Sequence, residues 1–195
     1  MTTRTPLGVG LISVGWMGRL HARSYLAAGQ HYPDLTYAPR LVVAADPDAG
    51  GREYATDVLG FDRTVADYSE VLADPEVDVV SICSPNFLHH EIALAAIEAG
   101  KPFWIEKPMG RGAVESREIA ERAESAGLVT SVGFNYRHVP AVARARELVR
   151  SGAIGTITNV RVSFLADYSA DPAGALTWRF LTARAGSGVL GDLLS

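Results

Sequence analysis

The stretch LGVGLISVGWMG, residues 7–18, decides the fold because it joins a short apolar run to the start of a helical pattern. An apolar run of this length is typical of a parallel strand that helices cover on both faces. Where such a strand turns into a helix, backbone N–H groups and the helix dipole can hold a diphosphate. The S-x-G-x-x-G spacing at residues 13–18 therefore predicts a dinucleotide-binding turn, with an ordinary strand-to-helix turn as the alternative.

Each residue of this turn has an expected task. Gly15 lets phosphates approach the backbone, and Gly18 lets the helix pack closely on the strand. Ser13 stands where the fingerprint has the glycine of the tight turn, and we expect the loop to form because serine is small. Trp16 and Met17 are predicted to contact the cofactor, and the alternative for Trp16 is packing between domains.

Short apolar runs alternate with helical patterns along the first 135 residues. The predicted strands are residues 7–14, 40–46, a short one near 64, 77–84, 102–106 and 129–135. The predicted helices are residues 17–28, 48–59, 68–73, 88–99 and 113–126. This order predicts an α/β fold with a doubly wound parallel sheet of the Rossmann type over residues 1–135.

The pattern changes after Asn135. A helix is predicted over residues 140–150, and the alternation of side chains over 157–164 predicts a half-buried strand of a different sheet. We therefore place a domain boundary between residues 135 and 136. One helix and one strand cannot close a sheet, so we expect residues 136–195 to be the beginning of an α+β domain.

The composition excludes several classes of protein. Lys and Arg number 18 and Asp and Glu 22, which gives a formal charge of −4, and no run of basic residues is present. A nucleic-acid or membrane-surface partner is therefore not expected. The apolar run at residues 7–14 is too short to span a bilayer, so we expect a cytoplasmic protein. Cys83 is the single cysteine, which predicts no internal disulfide, and no metal site is predicted.

Asp46 ends the second predicted strand, in the run VVAAD at residues 42–46. At this place a carboxylate binds the ribose 2′-hydroxyl of a dinucleotide, and it would repel a 2′-phosphate. We therefore predict NAD rather than NADP as the cofactor. The alternative is that Asp46 caps the helix that begins near Asp48.

Lys107 follows an apolar strand and precedes Pro108. It is therefore expected at the carboxyl edge of the sheet, where open α/β folds bind their ligands. A lysine at that edge can take part in proton transfer, whereas a solvated surface lysine is the alternative.

Several further segments, taken with this turn, resemble one family. They are SVGWMGRLHA at 13–22, PNFLH at 85–89, AGKP at 99–102, EKP at 106–108, NYR at 135–137, GAIG at 152–155, WRF at 178–180 and GSGVLGD at 186–192. In this order they resemble the Gfo/Idh/MocA family of oxidoreductases. The resemblance implies a Rossmann domain that binds NAD or NADP, then an α+β domain whose large open sheet supports the substrate site and a homo-oligomer, a dimer or tetramer.

The resemblance also implies roles for individual residues. Lys107 matches the catalytic lysine of the family, and Asp192 matches an aspartate one helical turn before a histidine that accepts the hydroxyl proton. That histidine would stand directly after Ser195, and Ser13 departs from the family's glycine. The residues expected to bind the cofactor are Ser13, Gly15, Trp16, Met17, Gly18, Asp46, Ser84, Pro85, Asn86, His89, Glu106 and Lys107. Tyr136, Arg137, Trp178 and Arg179 are expected near the substrate.

Three functions are compatible with these residues. The first is hydride transfer between a nicotinamide cofactor and a secondary alcohol of a sugar, cyclitol or related polyol. The second is an NAD-dependent glycoside-cleaving enzyme of the same family, which would accumulate no NADH. The third is a regulatory protein that binds the dinucleotide without turnover. Lys107 together with Asp192 weighs against the third, because a binding protein has no chemical need for that lysine.

Overall fold

The computed structural model describes residues 4–167 and 170–193. Six strands form one sheet in the order β3-β2-β1-β4-β5-β6, and every neighbouring pair is parallel. The strands are β1 Thr5–Ile12, β2 Tyr37–Ala45, β3 Arg63–Val65, β4 Val79–Ile82, β5 Phe103–Ile105 and β6 Thr130–Val132. This order, which reverses direction between β1 and β4, confirms the predicted Rossmann-type fold.

Helices cover both faces of the sheet. These are α1 Trp16–His31, α2 Ala49–Tyr54, α3 Tyr68–Leu72, α4 Asn86–Glu98 and α5 Ala113–Ser125. Three described helices follow outside these layers, namely α6 Pro140–Arg150, α7 Thr182–Ala185 and α8 Val189–Leu193. None of the helices in the described ranges is both long and apolar enough to cross a membrane. The strands contribute side chains to a core on each face, so that Val43 packs on one face and Ala44 on the other, both fully buried. This two-sided burial explains the continuous apolar runs of the sequence.

The predicted helix at residues 48–59 is interrupted. Asp48 caps α2 by accepting the N–H of Gly51 at 2.8 Å, and α2 continues after Tyr54 as a wider π-helical turn, Ala55–Leu59. The turn buries Ala55 and Leu59 in the core, and it ends at Gly60, whose φ of +79° suits glycine. Apolar spacing predicts a helix here but does not reveal the wider turn.

The predicted strand at residues 157–164 is wrong. Residues 156–167 pair with no strand in the parts of the chain that the structure describes. Val160 and Val162 are 74% and 79% exposed, although the alternation pattern predicts that one side of the strand is buried. Alternation becomes a strand only when a neighbour pairs the backbone and another layer covers the apolar side chains, and the described residues supply neither.

Residues 178–193 return to the carboxyl edge of the sheet and dock there. Asn86 at the start of α4 donates from Nδ2 to the Ala185 carbonyl oxygen at 2.9 Å, and Arg111 donates to the Ala183 carbonyl oxygen at 3.2 Å. Gly186 has φ +72°, and a Cβ there would lie 1.9 Å from the Arg111 carbonyl oxygen. These contacts bring α8 beside the end of β5.

Candidate cofactor and active site

The turn between β1 and α1 has the backbone that the fingerprint requires. Ser13 has φ +75°, in the left-handed region that favours glycine, so the prediction that serine can hold this turn is met at a strain of about 1–2 kcal/mol. A Cβ on Gly18 would lie 2.0 Å from the Ser13 carbonyl oxygen. A Cβ on Gly15 would have the Ser13 hydroxyl at 3.8 Å as its nearest neighbour. Gly18 is therefore required by packing, whereas the space above Gly15 is left open.

The N-terminus of α1 has the properties of an anion site. Its N-cap is Gly15, no side chain caps it, and its first turn contains no acidic residue. The first N–H groups of a helix need acceptors, and the helix dipole favours a negative one. Together with the open space above Gly15, this end of α1 fits the diphosphate of a dinucleotide.

Asp46 lies at the end of β2 beside the same turn. Its carboxylate accepts the N–H of Val14 at 2.7 Å and the N–H of Asp48 at 2.9 Å. It therefore ties the β1–α1 turn to the start of α2, while the capping of α2 itself is done by Asp48. Arg52 is the cation near Asp46. Its guanidinium donates to the carbonyl oxygens of Asp46 and Pro47 at 2.7 and 2.9 Å.

A cavity of about 790 Å³ lies between this turn, the ends of β4 and β5, and residues 178–193. It brings together most of the predicted site residues, namely Ser13, Gly15, Trp16, Met17, Ser84, Pro85, Asn86, His89, Glu106, Lys107, Trp178, Arg179 and Asp192. Gly18 and Asp46 are not among its lining residues. The volume falls in the range of small-molecule and cofactor sites.

Two buried polar atoms of the cavity wall lack partners. The Ser84 hydroxyl and the Asn86 side-chain oxygen are buried without a hydrogen bond to any residue that the structure describes. A buried polar atom left unpaired costs about 1–3 kcal/mol. These atoms fit hydrogen-bonding groups of a ligand, such as ribose hydroxyls.

Lys107 and Asp192 form an ion pair on the cavity wall. The Lys107 Nζ lies 2.9 Å from Asp192 Oδ1 and also donates to the Asp192 carbonyl oxygen. Arg179 lies on the other side of the carboxylate, with Nε 3.8 Å from Oδ2. Both members of the pair are about one quarter exposed at the side chain, so a substrate can reach them.

Comparison with known proteins decides the family. Residues 7–134 match the model of an oxidoreductase family with an NAD-binding Rossmann fold, and residues 142–195 match the GFO/IDH/MocA C-terminal domain. The chain belongs to the Gfo/Idh/MocA family. Its residues 7–134 are therefore an NAD-binding domain of this family, as the sequence motifs predict.

Its relatives include enzymes that act on sugars and cyclitols. The chain is 40% identical over 189 residues to levoglucosan dehydrogenase of Pseudarthrobacter phenanthrenivorans. The aligned residues cover 96% of this chain and 48% of that protein. It is 31% identical over 163 residues to scyllo-inositol 2-dehydrogenase (NAD(+)) of Bacillus subtilis. That alignment covers 84% of this chain and 45% of the relative. A solved structure of levoglucosan dehydrogenase in complex with NADH and levoglucosan has a TM-score of 0.91 at 40% identity and covers 97% of this chain and 51% of that one. The chain spans about half the length of these relatives.

Two further groups of this Gfo/Idh/MocA site are buried beside the ion pair. His89 is 1% exposed, and its ring nitrogens lie 2.8 Å from the carbonyl oxygens of Pro108 and Ser84. Burial lowers the pKa of His89, although those two carbonyls and the charge of Glu106 oppose the shift. Burial also raises the pKa of the Cys83 thiol well above its usual value, and Glu106 adds to the shift. Through its contact with the Pro108 carbonyl oxygen, His89 supports the loop that carries Lys107. The Cys83 thiol is a neutral group of the cavity wall.

Tyr136 and Arg137 are not brought to the cavity. They lie in a 3-10 turn, Asn135–His138, and both are exposed. Tyr136 packs edge-on against Phe164, with ring centroids 5.9 Å apart. The family motif predicts that both residues lie near the substrate; in the structure neither lines the cavity, although Phe164, which Tyr136 contacts, does.

The sequence analysis missed the apolar part of the cavity wall. The missed lining residues are Cys83, Pro108, Phe164, Leu165, Ala166, Phe180, Ala185, Gly188, Val189 and Leu193. Trp178 packs edge-on against Phe87 at 6.0 Å and supports the guanidinium of Arg179 at 4.5 Å. The motif WRF signals this aromatic part, whereas Phe164 is the last residue of the predicted strand and Leu165 follows it.

Proposed function

We propose that this chain contains the cofactor site and part of the catalytic site of an NAD-dependent dehydrogenase acting on a secondary alcohol of a sugar, cyclitol or related polyol. The observation that carries the proposal is the Lys107–Asp192 pair, because it lies in the same cavity wall as the glycine turn and the unpartnered atoms of Ser84 and Asn86. NAD supplies the hydride chemistry when it is bound. The named relatives, levoglucosan and scyllo-inositol dehydrogenases, support the substrate class.

Lys107 has the donors that this reaction needs. Its ammonium group has three N–H donors. Two go to the Oδ1 and carbonyl oxygens of Asp192, which leaves the third for a substrate hydroxyl oxygen. A donor fixed in this way stabilises negative charge that develops on the oxygen as its proton leaves. Asp192 thus orients Lys107, and the resemblance assigns the proton acceptor to a histidine one turn beyond Asp192.

Net NADH formation tests the proposal. The full-length protein is incubated with NAD⁺ and a panel of anhydrosugars, aldoses, cyclitols and matched methyl glycosides. We expect NADH to accumulate with at least one anhydrosugar, aldose or cyclitol of the panel. Glycoside cleavage without NADH would support the glycoside-cleaving alternative, and binding of NAD⁺ without any turnover would support the regulatory one.

The preference for NAD over NADP is expected to depend on Asp46. Asp46→Ala should weaken NAD⁺ binding by about 1–3 kcal/mol, because a buried ribose hydroxyl and the Val14 N–H would lose their acceptor. The substitution should also narrow the difference in affinity between NAD⁺ and NADP⁺, since no carboxylate then repels the 2′-phosphate. Calorimetric titration with both cofactors measures the two effects.

Asp48→Ala is the matched control. It removes the cap of α2, which should cost about 0.5–2 kcal/mol of folding stability and leave the cofactor preference unchanged. Equal or tighter binding of NADP⁺ than NAD⁺ by the unchanged protein would contradict the role of Asp46.

The same proposal includes a cytoplasmic homo-oligomer. Apolar side chains such as Val160, Val162 and Leu165 are exposed in the single chain, which supports their burial against further protein surface. Light scattering of the full-length protein should give the mass of a dimer or tetramer.

A further inference from the structure

A chain of buried hydrogen bonds runs beneath the cavity, between α1 and the strands β4 and β5. The Tyr25 hydroxyl lies 2.8 Å from the Ser81 hydroxyl, which lies 3.2 Å from His21 Nδ1. His21 Nε2 lies 2.9 Å from Glu106 Oε1. Ser81 is fully buried, and Glu106 is 7% exposed.

The hydrogen bonds of the Tyr25–Ser81–His21–Glu106 series can all donate in one direction, and every donor then has an acceptor. Tyr25 donates to Ser81, Ser81 donates to Nδ1 of a neutral His21, and His21 donates from Nε2 to Glu106. If His21 were a cation, Nδ1 would donate to Ser81, and one hydroxyl proton of Ser81 or Tyr25 would lack an acceptor in the described part of the chain. Burial raises the pKa of Tyr25, which keeps its hydroxyl protonated as the first donor.

In this arrangement the buried carboxylate of Glu106 accepts a hydrogen bond from an imidazole that carries no charge. A neutral imidazole stabilises the carboxylate by a hydrogen bond but does not cancel its charge. Gly133 makes room for the group, since a Cβ at Gly133 would lie 2.5 Å from Glu106 Oε1. The neighbouring cation, Lys107, is held by Asp192.

The position of Glu106 relative to the cofactor follows from the strand order. Asp46 lies at the end of β2, and Glu106 follows β5, on the other side of β1. A dinucleotide with its adenosine ribose at Asp46 and its diphosphate at the β1–α1 turn extends its nicotinamide over β4 and β5. Glu106 is part of the cavity wall there, and its charge acts on the wall residues Cys83 and His89.

We propose, on the basis of the proposed function, that Glu106 sets the preference of the site for the oxidised cofactor. The nicotinamide ring is positively charged in NAD⁺ and neutral in NADH, so a buried carboxylate near the ring attracts NAD⁺ selectively. The His21–Ser81–Tyr25 chain holds the carboxylate in place without neutralising it. Glu106 thereby favours binding of NAD⁺ and release of NADH, in the direction of alcohol oxidation.

The test compares the binding of NAD⁺, NADH and ADP-ribose to the unchanged protein and to Glu106→Gln. Glutamine keeps the shape and an acceptor for His21 but removes the charge. The ratio of the NADH to the NAD⁺ dissociation constant should fall about tenfold, the order of one unit-charge interaction over several ångströms of partly hydrated protein. The affinity for ADP-ribose, which has no nicotinamide, should change by less than about twofold.

Two controls separate charge from structure. Glu98→Gln removes an exposed carboxylate at the end of α4 and should leave the ratio unchanged. Tyr25→Phe removes the first donor of the hydrogen-bond chain but keeps the Ser81–His21 and His21–Glu106 contacts, so it should lower stability and leave the ratio within about twofold.

A ratio that stays within twofold in Glu106→Gln, with ADP-ribose binding retained, overturns the proposal. If that variant does not fold, the double variant His21→Phe/Glu106→Leu replaces the pair by apolar groups of similar volume, which proteins often tolerate. The same fall in the ratio is then expected, and an unchanged ratio overturns the proposal. Absence of binding of all three ligands to the unchanged protein would overturn the proposed function itself, and this inference with it.

Discussion

Replacing Lys107 with alanine is expected to lower turnover of the full-length protein by about 100-fold or more. The dissociation constant for NAD⁺ should change by less than about threefold. The physical reason is that, in the proposed reaction, the Nζ held by Asp192 acts on the substrate oxygen, where charge develops only as the reaction proceeds. Steady-state kinetics with the best substrate of the panel, together with NAD⁺ titration, measures both quantities.

Lys101→Ala is the control for this experiment. Lys101 donates to the carbonyl oxygens of Asp74 and Val77 at 2.8 and 2.7 Å, at the opposite edge of the sheet. Its loss should lower the melting temperature and leave turnover of the folded protein within about threefold. Near-normal turnover of Lys107→Ala would show that Lys107 is a structural or surface residue and would contradict its proposed role.

Alanine at Gly18 and at Gly15 should have opposite consequences. Gly18→Ala is expected to destabilise the fold by about 3 kcal/mol or more, because its Cβ would lie 2.0 Å from the Ser13 carbonyl oxygen and neither backbone segment can move freely. Gly15→Ala should cost no more than about 1 kcal/mol, since its Cβ meets only the Ser13 hydroxyl at the ordinary contact distance of 3.8 Å, at an N-cap of ordinary φ. It should nevertheless weaken NAD⁺ binding about 30-fold, equal to about 2 kcal/mol, because the methyl group occupies the place of the diphosphate.

Chemical denaturation and calorimetry on the two variants measure these effects. Gly112→Ala serves as the matched control, because a Cβ there meets no atom within 4 Å, at the N-cap of α5 and away from the cavity. Full NAD⁺ affinity in Gly15→Ala would remove the diphosphate from this turn. An unchanged stability of Gly18→Ala would contradict the packing argument.

The parts of the fold that depend on local sequence were predictable. The β1–α1 turn is determined by residues within six positions of one another, so its backbone and the unusual φ of Ser13 follow from the fingerprint. The six strands were predictable because burial on both faces demands continuous apolar runs. The π-helical turn at Ala55–Leu59 was not, since its apolar spacing resembles that of an ordinary helix.

The parts that depend on distant contacts were not predictable in the same way. The Lys107–Asp192 and His21–Glu106 pairs each join residues 85 positions apart, and only the resemblance pointed to the first. The strand predicted at 157–164 failed because its pattern carries no information on whether a partner strand is present. Tyr136 lies outside the cavity lining and contacts Phe164, which is 28 positions away, and a motif of neighbouring residues does not predict such a contact.

The most direct test of the central claim is to follow the hydride itself. The full-length protein is incubated with NAD⁺ and a substrate that carries deuterium on the carbon bearing the reactive hydroxyl group, and the nicotinamide product is analysed by mass spectrometry and NMR. We predict one deuterium at C4 of the reduced ring with the unchanged protein, and at least about 100-fold slower labelling with Lys107→Ala. Substrate turnover without deuterium in the reduced nicotinamide ring, or labelling that proceeds equally fast in Lys107→Ala, would contradict this account.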